Sequence, residues 1–207
     1  MLAFVVGLIL QTWLQSSKPP IMSIKCVYPE FVGRESYLNR LSAFFLRPKS
    51  DTVPVAVLWG DAGIGKSETA IAFANLHKKH FSLIFWIESS SEERYRQSYI
   101  HLAELLSIPF DSNEPIEQIK QRVHSFLQRA SWKKPWLLIY DNAESTLELP
   151  QQGHGAVLIT TRQKTLWESY YCIYLEPFSY YEAAELVKRI MGTFDDAHWS
   201  GLFKELT

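Results

Sequence analysis

The stretch "LWGDAGIGKS", residues 58–67, constrains this chain more than any other. Gly60 is followed by four residues and then by Gly65, Lys66 and Ser67. The run before it, "VPVAVLWG", is short, apolar and β-branched and ends in glycine, as a buried strand does. The residues after it, "KSETAIAFANLHKKH", carry Ala70, Phe73, Ala74 and His77 on one side of a helix. Strand, glycine loop and helix form the setting in which this spacing wraps phosphates. Gly60, Gly63 and Gly65 let backbone N–H groups turn inward with no Cβ in the way. The start of the helix adds its positive end. Lys66 then brings a full charge to the β- and γ-phosphates, and Ser67 brings a hydroxyl to Mg²⁺. The candidate nucleotide-binding residues of the loop are Gly60, Asp61, Ala62, Gly63, Ile64, Gly65, Lys66, Ser67 and Glu68.

On either side of this unit, apolar runs alternate with helical patterns. A helix is expected from about Glu35, with Leu38, Leu41, Phe44 and Phe45 at helical spacing. "FSLIFWIES" reads as a second strand. A helix with the stripe Tyr95, Tyr99, Leu102 and Leu106 follows, opened by serines ahead of acidic residues. Another carries Ile116, Ile119, Val123, Phe126 and Leu127 on one face, with Ser112 or Asn113 as its cap. "WLLIYDNAE", "GAVLITTR" and "YCIYLEP" are three more strands, and "SYYEAAELVKRI" and "DDAHWSGLFKEL" two final helices. The alternation implies an α/β fold with a mostly parallel sheet covered on both faces. Ligands of such sheets bind beyond the carboxyl ends of the strands. Asp61, Asp141, Thr160, Thr161 and Arg162 all fall there.

Asp141, Asn142 and Arg162 carry the chemistry expected next to the phosphates. Asp141 ends an apolar run well downstream of the loop, where a carboxylate holds the Mg²⁺ shell opposite the loop hydroxyl. Asn142 follows, where many fast ATPases place a second acid. An amide orients water but accepts no proton at neutral pH, so slow hydrolysis is expected. Arg162 ends the next strand and is expected to gain a charge-assisted pair when a γ-phosphate is present. Glu144, three residues past Asp141, is either within reach of the site or a surface acid, and the surface reading is preferred. Asp141, Asn142 and Arg162 are thus the candidate catalytic residues, with Ser67 and Asp141 as the Mg²⁺ ligands.

Composition excludes several classes. A formal net charge of −1 gives no global basic field, so no nucleic acid is expected as partner. Cys26 and Cys172 lie far apart with no metal-type spacing, which fits a reducing compartment and a cytoplasmic location. The apolar start, Met1 to Leu10, is shorter than the about 20 residues of a membrane-spanning helix, and no basic residue precedes it. It is read as a flexible or mis-started leader with Met22 as a second start, and no firm membrane association is expected.

The ordered set "FVGRE", "LWGDAGIGKS", "LLIYDNAE", "LITTR" and "LEPFSYYEAAEL" resembles the NB-ARC branch of the STAND nucleotide-binding proteins, over about residues 30 to 207. The resemblance implies a P-loop NTPase three-layer sandwich. Its five-stranded sheet has the order 5-1-4-3-2, counting the loop strand as first. It implies ATP or ADP with Mg²⁺, in agreement with the lack of an Asn-Lys-x-Asp element for guanine. By resemblance Val32, Gly33 and Arg34 lie near adenine and ribose, and "LEPFS" marks the passage into a small helical domain, with Pro177 and Phe178 as hinge and packing residues. The expected division is a leader and linker over 1–29, poorly ordered, a nucleotide-binding domain over 30–178, and the beginning of a helical domain over 179–207, cut short. The later family domains, including the winged helix whose histidine holds ADP, are not expected within residues 1–207. Apolar surface at Leu186, Ile190, Trp199, Leu202 and Phe203 is then expected to be uncovered.

The function expected is a regulatory switch with slow or no hydrolysis, partnered by adenine nucleotide and by copies of itself or intact family relatives. One alternative is an active ATPase remodeller of the DNA-associated AAA type. Another is a decayed fragment that binds nothing well.

Overall fold

The computed structural model describes residues 21–23, 31–46, 52–111 and 113–191. Among them, six strands form one parallel sheet: β1 (Ile21–Ser23), β2 (Val55–Trp59), β3 (Leu83–Glu88), β4 (Trp136–Asp141), β5 (Gly155–Thr161) and β6 (Tyr171–Tyr174). Among the described residues, five α-helices accompany them: α1 (Glu35–Phe45), α2 (Lys66–Leu76), α3 (Glu92–Leu105), α4 (Ile116–Arg129) and α5 (Tyr180–Met191). The sheet order is β1-β3-β4-β5-β2-β6. Within it, β6-β2-β5-β4-β3 is the order 5-1-4-3-2 expected from the sequence.

Side chains alternate along β2 to β5, and both of their faces are largely buried. Val57, Phe85, Leu138 and Ile159 join the cluster under α3 and α4, which includes Tyr99, Leu102, Ile119 and Val123. Ala56, Leu58, Ile84, Ile139 and Leu158 face the other way, with Leu41 of α1 and Ala70, Phe73 and Ala74 of α2. The alanines of α2 let that helix lie close to the strand it follows. Gly155 serves a different close approach: a Cβ there would stand 1.9 Å from the Trp136 ring on the neighbouring strand.

Three details differ from the sequence reading. First, Ile21–Ser23, inside the expected leader and linker, pair in parallel with Leu83–Phe85 and extend the sheet by one edge strand. Second, α4 begins after Pro115, whose position takes the cap without a side-chain bond. Asn113 does not cap it, and Ser112 lies outside the described residues. Proline is suited to a helix start because its missing N–H is not needed there. Third, Glu144 is not a surface acid, as the site shows below. The helix expected over 195–206, with Trp199, Leu202 and Phe203, lies outside the described residues, as does Cys26. Among the described residues no helix is long and apolar enough to cross a membrane, and Cys172 is a free thiol.

Candidate nucleotide site

The carboxyl ends of β2, β4 and β5 bring the expected polar residues to one place. Gly60, Gly63 and Gly65 all have positive φ, at 150°, 76° and 92°. A Cβ at Gly60 would meet Ile64 Cδ1 at 2.4 Å and Leu175 O at 2.8 Å, whereas Cβ atoms at Gly63 and Gly65 would meet nothing within 4 Å. The loop is therefore packed against its neighbours at its first glycine and bordered by open space at the other two. That shape suits phosphate oxygens approaching backbone N–H groups. α2 starts at Lys66, directly after Gly65, so its positive end faces the same space. Asp61, Ala62 and Gly63 are exposed, while Lys66 is only 6% exposed. Its Nζ donates to Gly60 O at 2.9 Å and Asp61 O at 2.6 Å. Burial lowers the pKa of this ammonium. Glu144, the strongest of the charges acting on it, pulls the other way.

The candidate metal corner lies at the end of β4. Ser67 Oγ donates to Asp141 Oδ1 at 2.6 Å, and Thr160 Oγ1 donates to the same oxygen at 2.5 Å. Asn142 has φ 57°, a left-handed conformation that asparagine tolerates. Its backbone N–H donates to Thr160 Oγ1 at 3.0 Å and its side-chain amide to Asp141 Oδ2 at 3.3 Å. Hydroxyl, carboxylate and open phosphate cradle thus adjoin, which fits a Mg²⁺-nucleotide held between Ser67 and Asp141. Asn142 faces the carboxylate and serves it as a donor.

Glu144 and Arg162 form the third part. Glu144 Oε1 accepts from the Arg162 backbone N–H at 3.2 Å and from its Nε at 3.0 Å. The Glu144 side chain is 24% exposed and that of Arg162 is 59% exposed. Glu144 Oε2 is buried and has no hydrogen-bond partner among the described residues. The sequence offers this acid a place at the site but favours the surface, because the pairing that holds it spans two strands. The adjacency of β4 and β5 was the available signal: residues just past the ends of neighbouring strands meet.

Of Val32, Gly33 and Arg34, Arg34 is bonded to the loop. It is 3% exposed, with φ 68°. Its Nη1 donates to Glu176 O at 2.7 Å and its Nη2 to Ile64 O at 2.8 Å. The guanidinium also sits 4.1 Å from the centre of the Phe178 ring. Burial lowers its pKa, opposed first by Glu182. Arg34 therefore ties the segment before α1 to the phosphate loop and to the chain after β6. Ser179 and Glu182 form a capping box at the start of α5: Glu182 Oε2 accepts from Ser179 N and Oγ, both at 2.8 Å. Gly33 has φ 67°, and a Cβ on it would reach Glu182 Oε1 at 2.8 Å. Arg189 Nη1 donates to Phe31 O at 3.3 Å. So α5 rests on the segment expected to face adenine. Leu186 on α5 is half-buried and Ile190 is 63% exposed.

A family model described as AAA ATPase domain matches residues 30–164. No curated protein matches the chain. Similar solved structures include Cdc6p from Pyrobaculum aerophilum, at 16% identity and TM-score 0.57, over 79% of this chain and 52% of that one. The structure of Drosophila ORC bound to DNA is similar at 14% identity and TM-score 0.59, over 91% and 59%. The Aeropyrum pernix ORC2 protein, in ADPNP-ADP complexes, is similar at 12% identity and TM-score 0.57, over 81% and 54%. These are likenesses of fold, and the chain spans only 52–59% of the length of those relatives. The family match takes in the phosphate loop, Asp141 and Arg162, and the chain belongs to the AAA ATPase domain family.

Proposed function

We propose that residues 30–178 bind an adenine nucleotide with Mg²⁺ and act as a slowly hydrolysing switch of the NB-ARC and STAND kind, with α5 as the start of a helical unit. The observation that carries the reading is the 2.6 Å bond from Ser67 Oγ to Asp141 Oδ1 at the mouth of a loop left open at Gly63 and Gly65. A bound Mg²⁺ would offset phosphate charge there. Lys66 would leave the loop carbonyls for the phosphates, and the N–H groups of residues 63–67 would bind their oxygens. Adenine is favoured by the family and by the ADPNP-ADP complexes of the Aeropyrum relative.

Slow turnover follows from the side chains at positions 142 and 144. Position 142 holds an amide, which takes no proton from water. Glu144, the other acid near the site, spends one oxygen on Arg162. Self-association, or association with fuller relatives, is favoured by the exposed α5 residues Tyr181, Ile190 and Met191. Titration of labelled ADP and ATP against the wild type and Lys66→Ala tests the reading. Tight binding by the wild type alone supports it, and negligible binding by both sinks it.

A second reading, a DNA-associated ATPase, is favoured by the likeness to Drosophila ORC bound to DNA. The exposed Lys78, Lys79 and Lys134 lie together, Lys134 Nζ donating to Lys79 O at 2.7 Å. Salt-dependent DNA binding with DNA-stimulated turnover would favour that reading.

A further inference from the structure

We propose that Glu144 competes with the terminal phosphate of a nucleoside triphosphate for Arg162, and so sets the chain's preference toward the diphosphate. The inference rests on the nucleotide reading above and assigns it a specificity residue.

The geometry at Arg162 is that of an anion notch. Two donors of one residue, the backbone N–H and Nε, converge on a single oxygen, Glu144 Oε1, at 3.2 and 3.0 Å. A phosphate oxygen makes the same pair of charge-assisted bonds with an arginine. The seat expected to read the third phosphate is therefore filled by a side chain of the protein itself. The other carboxylate oxygen is buried with no partner among the described residues. An ordinary surface ion pair would leave that oxygen in water at no cost, whereas a buried unpaired acceptor is unfavourable. The carboxylate thus sits in a partly dry position with one oxygen unsatisfied, and that position lies in the field of Lys66. Glu144 is the largest charge acting on that lysine, ahead of Arg162, Asp141 and Asp61. Of two cations that would meet a terminal phosphate, Arg162 is hydrogen-bonded to this acid and Lys66 feels its charge.

A triphosphate entering the cradle meets two costs that a diphosphate avoids. It must separate Arg162 from Glu144, and it brings a like charge beside a carboxylate. A diphosphate fills the loop and the Ser67–Asp141 corner without reaching the notch. The expected result is tighter binding of ADP than of ATP, with Glu144 as the cause of the difference.

The test is the affinity of the full chain for ADP and for a slowly hydrolysed ATP analogue, with Mg²⁺, in the wild type, Glu144→Gln, Arg162→Ala and the double variant. Glu144→Gln keeps the shape and removes the charge. It should tighten the triphosphate about tenfold and change ADP by less than about threefold. In the Arg162→Ala background the same substitution should have little effect, because the competition has lost its object. Equal gains for both nucleotides, no gain, weaker triphosphate binding, or a gain that persists without Arg162 would each overturn the proposal while leaving nucleotide binding standing. A wild type that binds neither nucleotide would overturn the nucleotide reading itself and this inference with it. Thermal melts of each variant separate loss of binding from loss of fold.

Discussion

Tyr140 and Asp141 are consecutive residues on β4, and they open onto two polar clusters of opposite character. Asp141 points to the loop end of the sheet, where Ser67, Thr160, Asn142, Lys66, Glu144 and Arg162 gather. Tyr140 points under α3 and α4, where its hydroxyl meets that of Tyr99 at 2.7 Å, and Tyr99 meets His124 Nε2 at 2.9 Å. The inner cluster is neutral: burial pushes both tyrosines well above their ordinary pKa and holds His124 down to about 4. The outer cluster is charged, and several of its members are bonded to groups they would exchange for a ligand. A buried polar group whose partners are fixed specifies the fold. One whose partners are exchangeable specifies a site. Alternation along a strand delivers neighbouring residues to these two fates.

Variants of the two clusters should separate in what they change. The largest effect is expected for Lys66→Ala. Nucleotide affinity should fall by about 100-fold or more, the worth of a buried charge-assisted contact, while the melting temperature without ligand stays within a few degrees. Isothermal titration with a parallel melt measures both. A large loss of stability would merge the two clusters.

Acid should act on the inner cluster. His124 has an ordinary value of 6.5 and is held near 4 by burial, with Glu148 raising it and Lys120 lowering it further. Its folded value lies below its unfolded value, so protonation favours the unfolded chain. Stability is therefore full above about pH 6.5 and should drop by about 2–3 kcal/mol as pH falls toward 4. Chemical denaturation across that range, with His124→Gln as control, checks it. An equal slope in the control would contradict the assignment.

Arg34 stands between the two behaviours. Arg34→Met keeps the stem but leaves Ile64 O and Glu176 O without their donor, and should cost about 2 kcal/mol of stability. If Arg34 is a tie within the fold, stability falls by the same amount with and without saturating ADP. If it holds the nucleotide, the loss grows with ligand. The smallest effect is expected for Tyr140→Phe, which removes one buried hydrogen bond and should cost about 1 kcal/mol. It should leave nucleotide affinity unchanged, although it adjoins Asp141.

The division between clusters was only partly legible in the sequence. The phosphate loop was legible because its spacing is local and its glycines answer a backbone need. The strands from β2 to β5 were legible because both faces are largely buried, so they appear as continuous apolar runs, and the edge strand β6 was legible from its short apolar run alone. β1 was not, because three residues after Pro19 and Pro20 carry no strand pattern of their own. Its pairing comes from the open edge of β3. Glu144 was misplaced because its partner lies 18 residues on, across the β4–β5 neighbourhood. Arg34 was expected beside adenine, and its bonds to Ile64 O and Glu176 O join segments 30 and 142 residues apart. Side-chain ties of that range leave no periodic trace. Asp141 was found for the opposite reason: a carboxylate at the end of an apolar strand stands out once the loop has set the context.

The central claim is that Ser67 and Asp141, at the mouth of the loop, hold a Mg²⁺-nucleotide. The direct measurement is the melting temperature of the full chain with saturating ADP, with Mg²⁺ and with a chelator in its place, for the wild type and Asp141→Asn. At a ligand concentration 100 times its dissociation constant the wild type should gain about 2.7 kcal/mol. Most of that gain should vanish with the chelator or in Asp141→Asn. A wild-type melt unmoved by Mg²⁺-ADP, or moved equally in the chelator, would contradict the account.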